Sequence, residues 1–435
     1  MNAVPRRRLP RGIAPLGIRN YALYWVAFAT SKLGRSIEET GAVWLVYQLT
    51  GSPVLLGVLG LARALPSIVL SPIAGVVVDR VDQRRLLIFM QFFGLAASVA
   101  LGLLVLTGAI ELWHVYAQVA IQAAITSFDG AVRQAFFPRL VPRRLLPEAV
   151  TLSATAGRSA AIVGPMIGGI AIASFGEAAP FLVTAASYPI LMAALALIRN
   201  VSFKPAGVPA GLRADLVEGL RHILRAPVLS GLLKLELVFG LFQVNAVIIT
   251  IIAREVLDVG PEGLGGLLAA PALGAILGIA VLISVGQPQR QGRFVVICTL
   301  GYAVAVVALA VSPLYALTLL FLAATGLLDS VATVTRHSVM QLAAPPHMRG
   351  RVMANMGTVT RGTSPLAETQ SGVLAGALGP RAAVLIAAAV IAAAATATAF
   401  RNLALMRFMR GEGEHEPTAT ELAAEAVEPL DSGVR

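Results

Sequence analysis

The first long apolar run of the chain contains four ionisable residues in a stretch of eight, residues 32–39. Lys32, Arg35 and Glu39 are spaced i, i+3 and i+7 and share one helix face, while Glu38 lies about a third of a turn away, within i+3 reach of Arg35. Such groups cost about 2.5–3.5 kcal/mol each at membrane depth, so their presence indicates function. They could exchange a proton with a moving substrate, or they could form a static ion pair. We expect Glu39 to titrate and Glu38 to be the outer, solvated carboxylate.

Polar side chains in other apolar runs are candidates for lining a cavity or contacting a substrate. They are Arg63, Gln243, Asn245, Arg361 and Glu368. Arg63 could face a cavity or pair with Asp129. Gln243 and Asn245 could line the cavity or form hydrogen bonds between helices. Arg361 and Glu368 are seven residues apart and lie on the same helix face. For Arg361 we favour a structural role at the interface between the halves over contact with a ligand.

Two further pairs lie at the ends of apolar runs, next to basic connectors. Asp129 and Arg133 are spaced i, i+4, and Asp329 and Arg336 occupy a similar place later in the chain. Both pairs could close one end of a helix bundle, or they could be ordinary charge near a loop. We favour the gate. Lys234 lies near the inner end of its run, where its ammonium group can extend to the membrane surface.

Several kinds of chemistry find no support in the sequence. Cys298 is the single cysteine, and the five histidines are scattered without metal-ligand spacing. No Walker-type phosphate loop and no serine elbow motif occurs. We therefore expect neither an enzyme nor a bound metal or cofactor, and any active transport would use an ion gradient.

Composition identifies the surroundings that must position these side chains. The 435 residues are 57% hydrophobic and 13% charged, whereas soluble domains have about 25% charged residues. The net charge of +11 is concentrated in short clusters between apolar runs of about 20 residues, the length that spans a bilayer. This pattern predicts a membrane protein and not a nucleic-acid partner.

Twelve apolar runs can be placed along the chain. Their approximate bounds are 20–48, 54–78, 86–108, 113–135, 149–175, 179–198, 228–253, 263–285, 294–311, 313–335, 352–378 and 382–405. Connectors after even-numbered runs are basic. Those after odd-numbered runs contain only two basic residues, Arg254 and Arg381. The positive-inside rule then places both termini in the cytoplasm.

The runs fall into two groups of six. We predict a basic cytoplasmic tail over 1–19, six-helix halves over 20–198 and 228–405, a cytoplasmic linker over 199–227, and a disordered acidic tail over 406–435. The linker includes an amphipathic helix from Ala214 to Arg225.

An internal repeat supports this division. A shared offset of 203 residues relates four pairs: Arg133 and Arg336, Pro142 and Pro345, Arg158 and Arg361, and Gly176 and Gly379. Two similar halves imply a cavity between them and alternating access.

The connector after the second run carries a family resemblance. It contains Gly75, Asp79, Arg80, Arg84 and Arg85, and it resembles the signature loop of the major facilitator superfamily, with Asp82 in place of the usual glycine. The resemblance implies the major facilitator fold: an all-α membrane protein with twelve transmembrane helices in two pseudo-symmetric halves. It also implies that this loop holds the halves together on the cytoplasmic side.

A second motif indicates the branch. Gly164, Pro165, Gly168 and Gly169 in the fifth run resemble the G-P-x-x-G-G motif of exporters in this superfamily, although the motif could also be a simple packing kink. Other stretches, such as Met348 to Val352, resemble the efflux branch that includes the enterobactin exporter and macrolide efflux proteins.

We therefore predict a proton-coupled exporter, monomeric, in a bacterial inner membrane, that moves a drug, siderophore or secondary metabolite. Its partners would be the substrate, protons and membrane lipids. Two alternatives stay open: an importer or facilitator of a polar metabolite, and a non-transporting accessory protein built on the same scaffold.

Overall fold

A computed structural model describes residues 11–78, 80–136, 139–198 and 212–409, and every regular element within these ranges is helical. Four predicted features lie wholly or partly outside them: the first ten residues of the basic tail, Asp79 of the signature loop, the linker over 199–211, and the acidic tail from residue 410.

Six long helices form the first half of the described chain. They are α1 (Arg19–Thr50), α2 (Pro53–Val78), α3 (Gln83–Leu106), α4 (Leu112–Phe136), α5 (Leu146–Phe175) and α6 (Ala179–Leu197). An amphipathic helix, α7 (Leu212–Arg225), follows, where the sequence predicted one.

The second half contains five continuous long helices and one broken one. The broken segment comprises α8 (Pro227–Phe242), α9 (Ala246–Ile251) and a π-helical turn over Ile252–Val256. The others are α10 (Pro261–Val285), α11 (Gln291–Val311), α12 (Tyr315–Ala343), α13 (Arg349–Leu378) and α14 (Pro380–Arg401), and the short α15 (Leu403–Arg407) follows.

Nine helical segments in the described ranges are long and apolar enough to cross a membrane. The broken segment, taken as one over Pro227–Val256, is among them. Helices α1, α4 and α13 are also long enough to cross a membrane, but they carry charged and amide side chains. Helix α1 contains Lys32, Arg35, Glu38 and Glu39. The all-α membrane fold is confirmed. Helices α1 and α13 contain six of the nine predicted proton-coupling and cavity residues, and α4 contains the predicted gate pair Asp129 and Arg133.

The repeat predicted from the sequence has matching backbone geometry in both copies. Gly176 ends α5 with φ 84°, and Gly379 ends α13 with φ 83°, a conformation that glycine adopts without strain. Pro142 and Pro345 each precede a short 3-10 helix. The two halves therefore share local structure as well as sequence spacing.

The bundle has two ends that differ in how the halves meet. We call the end where α2 passes into α3 the basic end, since it bears Arg80, Arg84 and Arg85, and the end where α1 meets α2 the far end. At the far end one hydrophobic core includes residues of both halves, such as Leu45 and Leu264. At the basic end each half has a core of its own, one built from α1 to α6 and the other from α7, α8 and α11 to α15.

Glycines allow the close contact at the far end. Gly57 of α2 lies against Gly372 of α13, and Gly169 of α5 lies against the Pro261 carbonyl at the start of α10. Nearer the basic end, Gly157 of α5 and Gly362 of α13 have open space where a Cβ atom would be. The halves are thus closed at the far end and separate towards the basic end.

Candidate functional site

An ion pair between Arg63 and Glu368 joins the two halves inside the membrane. The Arg63 Nη1 atom lies 2.5 Å from the Glu368 Oε1 atom, and their side chains are 24% and 8% exposed. The close packing of α2 on α13 brings these positions together. The alternative of an Arg63 pair with Asp129 is wrong, because Asp129 pairs with Arg133 on its own helix.

Glu39 on α1 is exposed and lies within electrostatic range of this ion pair. Its carboxylate therefore combines access to solvent with proximity to a charged contact between the halves. This placement fits the predicted proton exchange, although the role of Glu39 stays a prediction.

Glu38 has the opposite environment from the one expected. It is 4% exposed, so the prediction of a solvated outer carboxylate is wrong. Its Oε1 atom accepts hydrogen bonds from Ser98 Oγ at 2.6 Å and from Gln118 Nε2, and its Oε2 atom accepts one from Gln122 Nε2 at 3.0 Å. All these donors belong to the first half, towards which this side of α1 is turned.

The two cations of α1 do not form the predicted static ion pair. Arg35 donates a hydrogen bond to Thr126 Oγ1 of α4, and the Lys32 ammonium group lies 5.6 Å from the centre of the Phe28 ring. In the described ranges, neither cation forms an ion pair with Glu38 or Glu39. Both cations are near enough to Asp129 to feel its charge.

The remaining cavity candidates are Arg361 and the two residues at the helix break. Arg361 is exposed, and so is Arg158, its counterpart in the repeat, which lies within electrostatic range of Asp329 in the other half. Asn245 caps α9 by accepting hydrogen bonds from two backbone N–H groups and donates to Ser371 Oγ of α13 at 2.9 Å. Gln243 ends α8, and within the described ranges its side chain donates only to the nearby Gly240 carbonyl. The hydrogen-bonding alternative therefore fits Asn245.

The first predicted gate pair is present at the basic end. Arg133 Nε lies 2.6 Å from Asp129 Oδ2, and the Arg133 guanidinium group lies 4.6 Å from the Phe28 ring centre.

The second pair differs from the prediction. Arg336 binds Glu236 of α8, with 2.7 Å between Nη2 and Oε2, and not Asp329, which accepts a hydrogen bond from Thr333 Oγ1. Glu236 also accepts a hydrogen bond from Thr360 of α13 at 2.8 Å. The sequence analysis assigned Glu236 no role, and its only signal was a carboxyl group within an apolar run.

The signature loop contacts its own half in the described ranges. Arg84 donates to the Leu195 and Ala196 carbonyls of α6 at 2.6 and 2.5 Å. Arg80 is exposed, and Arg85 lies 3.8 Å from the Asp82 carboxylate. Asp79 and the surroundings of Gly75 lie outside what the structure describes, so the gate role of this loop stays a prediction.

The helix-five motif makes close contact with two neighbouring helices. Gly164 and Gly168 lie against Ser36 and Thr40 of α1, and Gly169 contacts the start of α10. The Pro165 carbonyl approaches Gly265 of α10. The packing role of the motif is evident, while its role in transport direction stays a prediction.

A polar latch that the sequence analysis missed closes the far end. Tyr47 OH of α1 donates to Glu255 Oε1 at 2.8 Å, and Arg254 donates to Gln48 Oε1 at 3.2 Å. The Arg254 guanidinium group also lies 4.6 Å from the Trp44 ring centre. Glu255 and Arg254 both lie in the π-helical turn, so this turn binds the second half to the end of α1. The available signal was Arg254 itself, a basic residue in a connector that otherwise carries only acidic charges.

Known proteins resemble this chain over most of its length. The family model for transmembrane secretion effectors matches residues 11–429. The multidrug efflux pump Tap of Mycolicibacterium fortuitum is 29% identical over 374 residues, which cover 82% of this chain and 90% of Tap. The enterobactin exporter EntS of Shigella flexneri is 24% identical over 325 residues, 72% of each chain.

Solved transporter structures share the fold. A bacterial homologue of the human lysosomal transporter Spinster, in an inward-facing and unoccupied conformation, superposes with a TM-score of 0.67 at 12% identity, over 89% of this chain and 96% of that one. The nucleoside transporter NupG gives a TM-score of 0.67 at 11% identity, over 90% of this chain and 99% of NupG.

Proposed function

This chain belongs to the transmembrane secretion effector family of the major facilitator superfamily, and from that membership we propose that it is a proton-coupled exporter of a small amphipathic molecule. It is a transporter and not an enzyme. The names of its relatives, a multidrug efflux pump and an enterobactin exporter, support outward transport of a drug, a siderophore or a secondary metabolite.

The observation that carries the proposal is the asymmetric contact between the halves. They share a core at the far end and have separate cores at the basic end, with the exposed Glu39 and the Arg63 to Glu368 pair along the space between them. This arrangement suits one state of an alternating-access cycle, in which two bodies over 20–198 and 228–405 rock about a central site.

The charge distribution supports the orientation. The basic end carries the Arg-rich connectors, and by the positive-inside rule this end faces the cytoplasm. We place the protein as a monomer in a bacterial inner membrane with both termini inside. The state described here is then open to the cytoplasm, which is where an exporter collects its substrate.

Glu39 is the proposed coupling residue, because proton exchange requires contact with water. Its carboxylate is exposed, whereas Glu38 is enclosed by Ser98, Gln118 and Gln122. A proton and a polar or cationic substrate would occupy the Glu39 site in turn. Glu38 would instead hold α1 against α3 and α4.

The test is uptake into inverted membrane vesicles, using a panel of lipophilic cations, macrolides and iron chelators with the proton gradient intact or collapsed. We expect gradient-dependent accumulation of at least one compound. Movement down a substrate gradient without any pH gradient would indicate a facilitator. Accumulation of no compound, together with co-purification of a partner protein, would favour the accessory alternative.

Replacing the coupling residue makes the test specific. Glu39→Gln should abolish gradient-driven accumulation and leave substrate binding largely intact, because the amide keeps the shape but cannot carry the proton. Glu111→Gln, at an exposed glutamate in the connector between α3 and α4, is the matched control and should transport normally. Full transport by Glu39→Gln would contradict the assignment.

A further inference from the structure

A cavity of about 560 Å³ lies at the basic end, away from the charged site between the halves. Its walls are the first turns of α8, the last turns of α14 and the start of α15. The main helix contacts of α14 are with elements of the second half, such as α11, α13 and α8, which indicates that α14 lies at the periphery of the bundle. The cavity is therefore on the outside of the second half, where lipid surrounds the protein.

The charged side chains that line this cavity are both cationic. Lys234 of α8 and Arg401 at the end of α14 are exposed, and neither forms an ion pair with another residue in the described ranges. Ser230 and Thr398 also line the cavity, but their hydroxyl groups donate to the Pro227 and Ala394 carbonyls of their own helices. The site thus offers the two positive charges and their N–H donors to an anionic group.

The lining farther from the basic end is apolar. Val238 of α8 and Ala394 and Ala397 of α14 are partly or fully exposed there, whereas Leu235 is buried in the core of the second half. Lys234 is seven residues past Pro227, which places it about 10 Å along α8 from the helix start at 1.5 Å per residue. A ligand that fits both parts has an anionic head and an apolar tail.

Asn402 holds the cavity walls in place. Its side-chain Nδ2 atom donates to the Pro227 carbonyl at 2.7 Å, and its Oδ1 atom accepts a hydrogen bond from the Leu405 N–H group at 3.0 Å. These bonds connect the start of α8 with the turn between α14 and α15. The shape of the cavity is therefore built by the protein before any ligand enters.

We propose that this cavity binds one anionic phospholipid from the leaflet at the basic end. The phosphate lies between Lys234 and Arg401, and an acyl chain follows Val238 and Ala394, which are partly exposed. Basic pockets between transmembrane helices on the cytoplasmic side have the chemistry that recognises anionic headgroups. The cavity volume is within the usual range of about 300–1,000 Å³ for ligand sites.

The experiment is native mass spectrometry of the purified full-length protein with phosphatidylglycerol or phosphatidylcholine of the same acyl chains. The wild type should retain phosphatidylglycerol at least about tenfold better, because each cation near an anionic lipid contributes about 1 kcal/mol. The double variant Lys234→Ala with Arg401→Ala should lose this preference. The control, Arg143→Ala with Arg144→Ala, removes two exposed cations from the basic end of the first half and should keep it.

Two further variants keep the proposal falsifiable. Ala397→Trp fills the cavity without removing charge and should also abolish the preference, so the conclusion does not depend on the double variant folding. Changing Glu412, Glu414 and Glu416 to Gln tests the acidic segment after Met409 as a competing occupant. A rise in lipid binding on that change would support the lipid site and show that the segment competes for it, whereas equal binding by the double variant and its control would overturn the proposal.

Discussion

Arg63 and Glu368 connect two helices of different halves. Within the described residues, each is the ion-pair partner of the other, so removing one leaves the other charge unpaired. Breaking a buried ion pair by removing one partner typically costs about 3–5 kcal/mol, because the remaining charge is left poorly hydrated. Partial exposure of Arg63 places the expected cost at the lower end of that range.

We therefore predict that Glu368→Ala lowers the thermal midpoint of the purified protein and weakens closure of the far end. The exchanged pair, Arg63→Glu with Glu368→Arg, should recover much of the stability, since charges of opposite sign again face each other. Arg361→Ala, at an exposed position on the same helix, is the control and should change the midpoint little. Equal midpoints for Glu368→Ala and Arg361→Ala would show that the ion pair contributes nothing.

Helix α5 provides a comparison between two glycines in one helix. A Cβ atom at Gly164 would overlap Ser36 of α1, whereas a Cβ atom at Gly157, two turns earlier, would meet no atom within 4 Å. Overpacking costs about 1–3 kcal/mol, while replacing a helical glycine with alanine in open space stabilises a helix by about 0.5–1 kcal/mol.

Gly164→Ala should consequently lower thermal stability and reduce transport, and Gly157→Ala should leave both unchanged or slightly improved. Thermal unfolding in detergent and vesicle uptake provide the two measurements. If both variants have the same thermal stability and the same uptake, the close approach of α5 to α1 contributes nothing to stability or transport.

The elements themselves were largely predictable, because a bilayer requires about 20 apolar residues per crossing and Arg-rich connectors alternate with connectors that are poor in Arg and Lys. The break in the seventh span was not predictable, since Gln243 and Asn245 have the same polar character inside a helix as at a cap. Spacing gave the angle between Glu38 and Glu39 around α1, but not which side of α1 faces the rest of its half. For the same reason Arg336 was assigned to Asp329, and its partner Glu236 on another helix was overlooked.

Taken as a whole, the molecule should admit reagents from one end only. Cys298 is 5% exposed, so a Cys298→Ser background allows single reporter cysteines to be added. Arg158→Cys should react quickly with a membrane-impermeant maleimide in inverted vesicles and slowly in right-side-out vesicles, because the separation of the halves is at the basic end. Leu45→Cys, in the shared core of the far end, is the unreactive control. Faster labelling of Arg158→Cys in right-side-out vesicles would reverse the proposed orientation or state.

The ion pair between α2 and α13 also bears on how the protein is made. Its two members are separated by 305 residues in the chain. At the usual rate of about 5–20 residues per second, a ribosome completes Arg63 roughly 15–60 s before Glu368. The first half must therefore enter the membrane carrying an arginine whose partner has not been synthesised, and during this interval the nascent chain depends on lipid phosphates, water or an insertion factor to accommodate it. Arrest of translation before α13 should accordingly leave a product that is more readily degraded than one arrested after it.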